Sequence, residues 1–343
     1  MTAPTTAVPA PVTRLRELAH SAACAASVRA AAQLGLPEAL GDEPTSAGAL
    51  ASAVGADEGA LVRLLRSLTT YGVFAETDDG MYTHTPESRL LREDAEHGVK
   101  YNVLWATEPW TWELWSHLDE AVRTGKGVFP SLYGEEFFSC LHSRMPRSAE
   151  VFDKAMTQSS QLSARAIAER LDLTGVRSVA DVAGGQGLVL ATLLEHHPGL
   201  RGTLLDLPDV VASPDARLRE GGAVASRARL LPGDCLEDIP VRADAYLFKN
   251  ILEWDDHSTV TALRNAVAAG GPGARVFVIE NLVDGSPEMR FTTAMDLLLL
   301  LNVGGKKHTE CGLASLIEKA GLRIDGIRPI NSYLHLFEAT VPA

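Results

Sequence analysis

The sequence predicts an α/β protein in two parts: a mainly α-helical winged-helix domain at the N-terminus and a doubly wound, mostly parallel seven-stranded sheet at the C-terminus. Up to about residue 100, apolar residues recur at helical spacing and end in a hairpin signal. After Leu173, short apolar runs of strand length alternate with amphipathic helical segments, as in parallel sheets. The chain has 343 residues, too many for one simple core, so two domains are expected.

The N-terminal helices are predicted by apolar periodicity and by capping residues. One long helix is expected from about Val12 to Leu40, with Gly35 and Pro37 marking its end. Two short helices should follow, because Ser46 and Asp57 are good N-cap residues and apolar residues recur at helical spacing after each of them.

A β-hairpin is predicted after these helices, where Val73-Phe74 and Met81-Tyr82 flank the turn sequence Asp78-Asp79-Gly80. Helix, helix and hairpin together make a winged helix, whose usual role is DNA binding. The second helix offers only Arg63 and Arg66 as basic residues, and the chain has a formal net charge of −13. Because a phosphate-binding surface must be basic, we favour a dimerisation module and expect no nucleic-acid partner.

The segment 100–165 is expected to be helical and is rich in aromatic side chains. Aromatic residues at helical spacing are usually core, which we expect of most of them, whereas a minority should line an apolar pocket for a flat ligand. We therefore divide the chain into a winged-helix dimerisation domain (1–100), a helical segment lining the substrate pocket (101–170) and a C-terminal sheet domain (171–343).

Seven strands are predicted in the C-terminal domain. They are the apolar runs Val176–Val182, Gly202–Leu205, Arg229–Leu231, Ala243–Phe248, Ala274–Ile279, Leu322–Ile330 and Tyr333–Ala339. The first five should be parallel, since amphipathic segments such as Leu188–His196 and Ser258–Ala269 lie between them. Only a short polar turn separates the last two, which predicts a closing antiparallel hairpin.

An acid followed by glycines stands at the end of the first of these strands. The run Asp181-Val182-Ala183-Gly184-Gly185-Gln186-Gly187 leads directly into a helix. Glycines there let the backbone approach a ligand at the carboxyl edge of the sheet, where open α/β folds bind cofactors. A dinucleotide-binding dehydrogenase would show a G-x-G-x-x-G spacing instead. The loop alone is a weak signal for a nucleoside ligand.

Acids recur at the ends of the next two strands and strengthen that signal. Asp206 closes the second strand about 20 residues after the glycine loop, where a carboxylate accepts hydrogen bonds from ribose hydroxyls. Asp234 closes the third strand, where it is placed to accept from a donor such as an adenine amino group. Three acids at three successive strand ends predict a nucleoside-binding site.

Other classes of protein are disfavoured by the remaining features. Cys24, Cys140, Cys235 and Cys311 stand far apart, so we expect reduced thiols of a cytoplasmic protein and no metal site. The N-terminal segment lacks a basic and an apolar region and is interpreted as a frayed tail. The longest apolar run, Leu297 to Leu301, is too short to span a bilayer, so no membrane partner is expected.

The segment 176–310 resembles the plant caffeate-type and bacterial antibiotic-pathway O-methyltransferases, which also share an N-terminal winged-helix dimerisation domain. The motifs that carry the resemblance are DVAGGQG (181–187), GTLLDLP (202–208), PGD (232–234), LFKNILEWDD (247–256), VIENL (278–282) and NVGGKKHTE (302–310). The resemblance covers nearly the whole chain.

The resemblance implies a homodimeric class I methyltransferase with a Rossmann-like C-terminal domain. It would use S-adenosyl-L-methionine, release S-adenosyl-L-homocysteine and act on a small aromatic or polyketide-like secondary metabolite. The cofactor-binding residues it implies are Asp181, Gly184, Gly185, Gly187, Asp206, Leu207, Asp234, Cys235 and Lys249. The substrate-binding residues it implies are Trp105, Phe152, Met156, Met295, Leu299 and Asn302.

The sequence departs from the family's pattern at the position of the catalytic base. In most relatives the segment after strand four reads L-H-D-W, and its His removes the proton from the substrate hydroxyl. This chain reads Leu252-Glu253-Trp254 and is one residue shorter. Counting from Lys249 puts Glu253 in the position of the His, whereas counting back from Trp254 puts Leu252 there.

The supporting acids of that base are altered too. The family's Gly-Gly-Lys-Glu appears here as Gly304-Gly305-Lys306-Lys307, and only the other acid, Glu280, is retained. The candidate catalytic residues are therefore Glu253, Glu280 and Lys307. Glu253 and Lys307 could instead form an ion pair, which would make Glu253 a weaker base.

Three hypotheses stay open for the reaction. Glu253 replaces the His as general base, if burial raises its pKa, or proximity alone drives methyl transfer to an acidic hydroxyl, a carboxylate or an amine. The third is that the protein binds the cofactor but catalyses a cyclisation, elimination or hydroxylation.

Overall fold

The structure is a computed structural model, which describes residues 9–284 and 289–343. It divides into two compact units, the first ending at Pro109 and the second beginning at Trp110. The predicted three-part division at residues 100 and 170 stays a prediction.

The N-terminal unit consists of helices and one small hairpin. Its elements are α1 (Ala10–Ala19), α2 (Ser21–Leu34), α3 (Leu36–Leu40), α4 (Ala47–Val54), α5 (Glu58–Thr70), β1 (Phe74–Glu76), β2 (Tyr82–His84), α6 (Pro86–Arg89) and α7 (Lys100–Ala106).

The prediction of one long helix from Val12 to Leu40 is wrong, because the segment forms three helices. The first break is at His20, whose ring Nδ1 lies 2.8 Å from the carbonyl oxygen of Arg16 and whose backbone N–H donates to the same oxygen. The second is at Gly35, which has a φ of 69° and ends α2 in the left-handed conformation. Apolar periodicity continues through both breaks and therefore hides them.

The winged-helix elements are confirmed. Ser46 and Asp57 cap α4 and α5, because their side chains accept hydrogen bonds from backbone N–H groups three residues further on. The strands β1 and β2 pair in antiparallel fashion. The apolar faces of these helices meet the hairpin in one core, which includes Leu50, Leu65 and Phe74.

The second unit begins with a helical segment and continues into a sheet with helices. Its helices are α8 (Pro109–Trp115, which starts at the boundary), α9 (Leu118–Thr124), α10 (Phe129–Tyr133), α11 (Phe137–Arg144), α12 (Pro146–Gln161), α13 (Ala164–Arg170), α14 (Leu188–His196), α15 (Pro208–Val211), α16 (Asp256–Gly270), α17 (Met289–Val303) and α18 (Glu310–Lys319). Its strands are β3 (Ser178–Val182), β4 (Arg201–Asp206), β5 (Ala228–Pro232), β6 (Ala245–Lys249), β7 (Arg275–Asn281), β8 (Arg323–Pro329) and β9 (Leu334–Thr340).

The sheet has the predicted seven strands, in the order β5-β4-β3-β6-β7-β9-β8. The five strands from β5 to β7 are parallel, and β9 pairs antiparallel with both β7 and β8. The chain runs outward from β3 through β4 to β5 and then returns to place β6 on the other side of β3. The carboxyl ends of β3 and β6 therefore form the switch point at which open α/β sheets bind ligands.

Two apolar layers cover the faces of the sheet. One contains Tyr246, Phe248 and Leu263 and lies against α16 and α18, and the other contains Leu190 and Leu204 and lies against α13 and α14. Such burial on both faces is what makes the predicted strands continuous apolar runs. Among the residues described, none of the helices is long and apolar enough to cross a membrane.

Candidate active site

The loop between β3 and α14 needs glycine at three positions. A Cβ on Gly184 would lie 2.5 Å from Oδ2 of Asp181, and one on Gly187 would lie 2.5 Å from a methyl carbon of Leu218. Gly185 and Gly187 also have φ values of 62° and 80°, which favour glycine. At these three glycines the loop therefore presents its backbone, without side chains, at the switch point.

Asp181 lies under this loop with its side chain buried. It is 2% exposed, and its Oδ2 has no hydrogen-bond partner among the described residues. Burial raises the pKa of Asp181 to about 7, with a further rise from the negative charge of Asp206 and a decrease from the positive charge of Lys249. An unsatisfied buried carboxylate oxygen of this kind fits a ligand that donates a hydrogen bond.

Asp206 ends the neighbouring strand and holds the glycine loop. Its Oδ2 accepts from the N–H of Gly185 and its Oδ1 from the N–H of Leu207, both at 2.7 Å. Burial raises the pKa of Asp206 to about 6 although these two hydrogen bonds oppose the rise. Each carboxylate oxygen can accept a second hydrogen bond, so the group is still able to bind two hydroxyls.

Asp234 and Cys235 lie at the same edge, after β5. The N–H of Gly233 donates to the carbonyl oxygen of Asp206 at 2.9 Å, and Oδ1 of Asp234 accepts from the N–H of Leu236 at 2.8 Å. Cys235 is buried, and burial raises the pKa of its thiol to about 12. The thiol is therefore neutral and apolar in character.

Lys249 ends β6 on the other side of β3. Its Nζ donates to Oγ of Ser160 on α12 at 3.2 Å. Burial lowers the pKa of Lys249 to about 8, and the charges of Glu280 and Glu253 oppose that decrease. The amino group of Lys249 at the end of β6 and the carboxylate of Asp206 at the end of β4 therefore lie on opposite sides of β3.

The turn after β6 is held by Glu280. Its Oε1 accepts from the N–H groups of Ile251 and Leu252, both at 3.0 Å. Glu280 is 2% exposed, and burial raises its pKa to about 8, with a further rise from the charge of Glu253. The carboxyl group thus carries a proton at neutral pH while it orders the backbone of the turn.

The two residues that could occupy the position of the family's His have different surroundings. Leu252 is fully buried in the apolar layer on α16, which favours the count that gives Glu253 that position, and the assignment stays a prediction. Its carbonyl oxygen accepts from Nε2 of buried His308 at 2.7 Å. Glu253 points the other way, and its Oε1 contacts Nζ of Lys307 in a direct ion pair.

The segment after α17 is fitted closely against Glu253. The N–H of Lys306 donates to the carbonyl oxygen of Glu253 at 3.1 Å, and the N–H of Lys307 donates to Oδ1 of Asp296 at 2.6 Å. A Cβ on Gly305 would collide with the carbonyl oxygen of Glu253. Gly305 therefore permits the close approach that brings Lys307 to Glu253.

The residues expected at the substrate lie on several elements. Phe152 and Met156 are partly buried on α12, and the Phe152 ring lies 5.9 Å from that of Phe137 between centroids. Met295, Leu299 and Asn302 follow one face of α17.

The aromatic cluster around Phe152 is mostly core, as expected: Trp110, Phe129 and Phe137 are at most 3% exposed and contact one another. Asn302 is 4% exposed, and its Oδ1 has no partner in the described part of the chain, which fits a ligand that donates. Trp105 belongs to the N-terminal unit, and its role stays a prediction.

Three polar residues near this site were missed. Asn250 has a φ of 51° and a buried Oδ1 that is unpartnered among the residues described. Asp296 and His308 hold the segment of Lys307 and the turn of Leu252. Only the position of Asn250, next to Lys249 at the end of a strand, was a usable signal in the sequence.

A doubly wound sheet with a bare glycine loop and acids at three successive strand ends defines the class: an S-adenosylmethionine-dependent methyltransferase. The model of an O-methyltransferase domain matches residues 115–323, and that of an O-methyltransferase dimerisation domain matches residues 16–94. The chain belongs to this O-methyltransferase family.

Individual relatives agree with this assignment. A mitomycin biosynthesis 6-O-methyltransferase of Streptomyces lavendulae is 39% identical over 90% of this chain and 88% of its own length. The solved structure of a mitomycin 7-O-methyltransferase superposes with a TM-score of 0.88 at 36% identity, covering 97% and 98% of the two chains.

A third relative was solved with ligands. An O-methyltransferase from neocarzinostatin biosynthesis, in complex with S-adenosylmethionine and 2-hydroxy-5-methyl naphthoic acid, has a TM-score of 0.79 and 32% identity, covering 93% of this chain and 96% of that one. This chain is therefore an S-adenosylmethionine-dependent O-methyltransferase, and methyl transfer is favoured over the non-methylating hypothesis.

Proposed function

We propose that this protein methylates a hydroxyl group of a small aromatic or polyketide-like secondary metabolite, with Glu253 accepting the hydroxyl proton beside Lys307. The observation that carries the proposal is the buried Glu253–Lys307 ion pair on the turn that follows β6. The resemblance to the family implies a His and a Glu at these two positions, and the ion pair keeps one group able to accept a proton.

The cofactor would lie across the carboxyl ends of β4, β3 and β6. The unpartnered Oδ2 of Asp181 and the bare backbone at Gly184 fit its methionine part. Asp206 would accept from the ribose hydroxyls, and Asp234, with Leu207 and Cys235, would surround the adenine. When bound, S-adenosylmethionine supplies a methyl group that is already activated by the sulfonium.

The cofactor carries a sulfonium and an ammonium, so a site rich in carboxylates favours it over neutral nucleosides. Lys249 would lie near the methionine carboxylate, and its donation to Ser160 orients it. The remaining glycines, Gly185 and Gly187, would let the backbone follow the ligand closely.

The acceptor hydroxyl would approach Glu253 from the side of α17. Glu253 takes the proton, and the positive charge of Lys307 then stabilises the phenolate that attacks the methyl group. Glu280, which holds the turn through the N–H groups of Ile251 and Leu252, keeps Glu253 in position. Oδ1 of Asn302 would accept a hydrogen bond from a second donor group of the substrate.

The proposed substrate class is supported by the side chains expected at the substrate and by the ligands and names of relatives. Phe152, Met156, Met295 and Leu299 offer flat and flexible apolar surfaces. One solved relative is a complex with 2-hydroxy-5-methyl naphthoic acid, and another relative is named for mitomycin biosynthesis. A fused aromatic acceptor with a free hydroxyl fits both observations.

The protein would act as a homodimer through its N-terminal unit. Val12, Leu15 and Leu18 on α1 are 45%, 67% and 51% exposed, and the neighbouring residues 16–94 match the family's dimerisation domain. Large apolar side chains repeated along one helix are typical of an interface.

The proposed reaction is tested with purified protein, S-adenosylmethionine and a panel of hydroxylated naphthoic acids, including 2-hydroxy-5-methyl naphthoic acid. We expect an acceptor whose mass increases by one CH2, with one S-adenosylhomocysteine formed per product. A product without the added methyl group, formed without S-adenosylhomocysteine, would overturn the proposal in favour of the non-methylating reaction.

A further inference from the structure

His308 follows Lys307 directly in the chain, and neither the cofactor site nor the proposed proton transfer uses it. The residue is 5% exposed. Its ring Nε2 lies 2.7 Å from the carbonyl oxygen of Leu252, the residue before Glu253. The same oxygen has a second and longer contact, at 3.5 Å, with Oγ1 of Thr259. The short contact of His308 therefore lies beside the buried ion pair, one residue away from each partner.

The chemistry of this contact fixes the state of the His308 ring. A carbonyl oxygen can only accept a hydrogen bond, so Nε2 carries the hydrogen and donates it. Burial lowers the pKa of His308, and the positive charge of Lys306 lowers it further. The hydrogen bond to Leu252 and the charges of Asp256 and Glu253 oppose that decrease. The ring is therefore neutral at neutral pH and adds no charge next to the ion pair.

The turn that carries Glu253 has no regular secondary structure and depends on contacts of this kind. The N–H of Leu252 donates to Oε1 of Glu280 at 3.0 Å, and its carbonyl oxygen accepts from His308. The carbonyl oxygen of Glu253 accepts from the N–H of Lys306 at 3.1 Å. Leu252 is thus held on both sides, by one residue from β7 and one from the segment after α17. Without the His308 donor, this buried oxygen would lose its short hydrogen bond.

The backbone of His308 is itself anchored. Its carbonyl oxygen accepts from the N–H of Val283, in the segment after β7, at 2.9 Å. The next residue, Thr309, caps α18, because its side chain accepts from the N–H of Gly312 at 3.0 Å. The apolar face of α18 packs in the same layer as Leu252. The His308 ring therefore joins the turn to two elements of the core.

The carbonyl group that His308 binds belongs to the peptide unit between Leu252 and Glu253. A peptide unit is planar and includes the Cα atoms of both residues, so a fixed carbonyl also fixes the position of Glu253 Cα. The direction of the Glu253 side chain depends on that position. A displacement of about 1 Å at a catalytic group can reduce the rate by about 10²-fold.

We propose that His308 is a positioning residue for methyl transfer: its neutral ring orients the peptide unit of Glu253 and thereby aligns the Glu253 carboxylate with Lys307 and with the acceptor hydroxyl. In this role the ring acts through Glu253 and needs no contact with the substrate. The inference rests on the proposed function, in which Glu253 accepts the hydroxyl proton.

Three substitutions of His308 separate the hydrogen bond from the bulk of the ring. His308→Gln keeps a donor nitrogen near the position of Nε2, whereas His308→Asn is polar but too short to reach, and His308→Leu is apolar. His197→Leu is the matched control. The Nε2 of His197 lies 3.1 Å from the carbonyl oxygen of Ala168, at the end of α14 that is remote from the glycine loop. All variants are made in the full-length protein, and melting temperatures check the fold.

Turnover and cofactor affinity should respond differently to these variants. His308→Leu and His308→Asn should each lower kcat by about tenfold or more for the methylated acceptor of the panel. Their affinity for S-adenosylhomocysteine, measured by titration calorimetry, should stay within about twofold of the parent. His308→Gln should keep kcat within about threefold, because the donor is retained. His197→Leu should keep kcat although it also loses a contact between a ring and a carbonyl oxygen.

A double-variant cycle tests whether His308 acts through Glu253. In the Glu253→Gln background the carboxylate is absent, so the addition of His308→Leu should change single-turnover methylation by less than about twofold. The same cycle with His308→Asn gives the answer if the Leu variant does not fold.

Three outcomes would overturn the inference: equal losses in the parent and the Glu253→Gln background, a kcat of the Leu and Asn variants that equals that of the parent, or a Gln variant as slow as the Leu variant. A Glu253→Gln protein with the turnover of the parent would instead contradict the proposed general base. That failure is seen without any substitution of His308, so the two failures are distinguishable.

Discussion

Lys307 and Glu253 form an ion pair whose partners are 54 residues apart in the chain and whose side chains are only 6% and 14% exposed. A buried pair is stable only while both charges are present, since removal of one leaves an uncompensated charge in a medium of low polarity. Variants that test the pair must therefore be neutral and similar in size.

Glu253→Gln should reduce turnover by about 10²-fold or more, because it removes the proposed general base while keeping the shape of the side chain. The affinity for S-adenosylhomocysteine should change little. Steady-state assays with the methylated acceptor of the panel provide the turnover, and the loss should shrink for acceptors whose hydroxyl is already ionised.

The matched control for this prediction is the double variant Glu253→Gln with Lys307→Gln, which removes the charge left unpaired in the single variant. If both variants keep turnover within a few-fold of the parent, proximity alone drives the transfer and Glu253 is not the base.

Asp206→Ala should weaken the binding of S-adenosylhomocysteine by about 10²-fold, because a carboxylate proposed to accept from two ribose hydroxyls is lost. Calorimetric titration measures the effect. The structure adds a control: Asp206 also holds the N–H groups of Gly185 and Leu207, so Asp206→Asn should show how much of the loss comes from a loosened loop. If Asp206→Ala binds S-adenosylhomocysteine with unchanged affinity, Asp206 does not contact the cofactor.

Cofactor affinity should fall as the pH decreases from 8 to 5.5. Asp181 and Asp206 have pKa values raised to about 7 and about 6, so both take up protons in this range and lose the charge that attracts donors. Binding at low pH must displace these protons. Calorimetry of S-adenosylhomocysteine in a pH series measures the slope, and an affinity independent of pH would contradict a contact with these acids.

Glu280→Gln should stabilise the protein at high pH. The pKa of Glu280 is raised from 4.5 to about 8 in the folded state, so the stability linked to it is present below pH 4.5 and is lost as the pH rises through about 8. Gln stays neutral and its Oε1 still accepts from Ile251 and Leu252.

Melting temperatures measured between pH 4.5 and 9 test this effect. The variant should resemble the parent near pH 4.5 and exceed it increasingly as the pH rises to about 8, by about 2 °C or more, which corresponds to roughly 1 kcal/mol. The exposed Glu318→Gln on α18 is the control and should show no such divergence. A parallel pH dependence of parent and Glu280→Gln would contradict the buried, protonated state.

The double variant Leu15→Glu with Leu18→Glu should convert a dimer into a monomer, because charges would replace apolar side chains that are exposed on α1. Sedimentation at micromolar concentration distinguishes the two states. Val122→Glu, at an equally exposed apolar residue of the other unit, should leave the dimer intact. A parent that sediments as a monomer would contradict the dimer itself.

The predicted strands and caps were confirmed because their signals are local. Each of the seven strands begins and ends within two residues of its expected bounds, since buried parallel strands must be apolar throughout. Ser46 and Asp57 cap their helices because the cap needs only a side chain and a backbone N–H three residues away. The break at His20 was missed because α1 and α2 share the periodicity of one helix.

The contacts of α12 with the carboxyl edge of the sheet were not predicted from the sequence. Ser160 and Thr157 contact Lys249 and Gln186, which are 89 and 29 residues away from them in the chain. Spacing within one helix predicts a shared face, whereas the identity of the opposing element is a property of the folded protein.

The sequence by itself determined the class of fold, the bare glycine loop and the acids at the strand ends, because all of these follow from short-range patterns. Only the tertiary structure decided which way the side chains of the turn after β6 point, since Leu252 occupies the apolar layer and thereby directs Glu253 away from it. It also decided the partner of Glu253. Close packing at Gly305 brings Lys307 to that carboxylate, and such an approach depends on how two distant segments fit together.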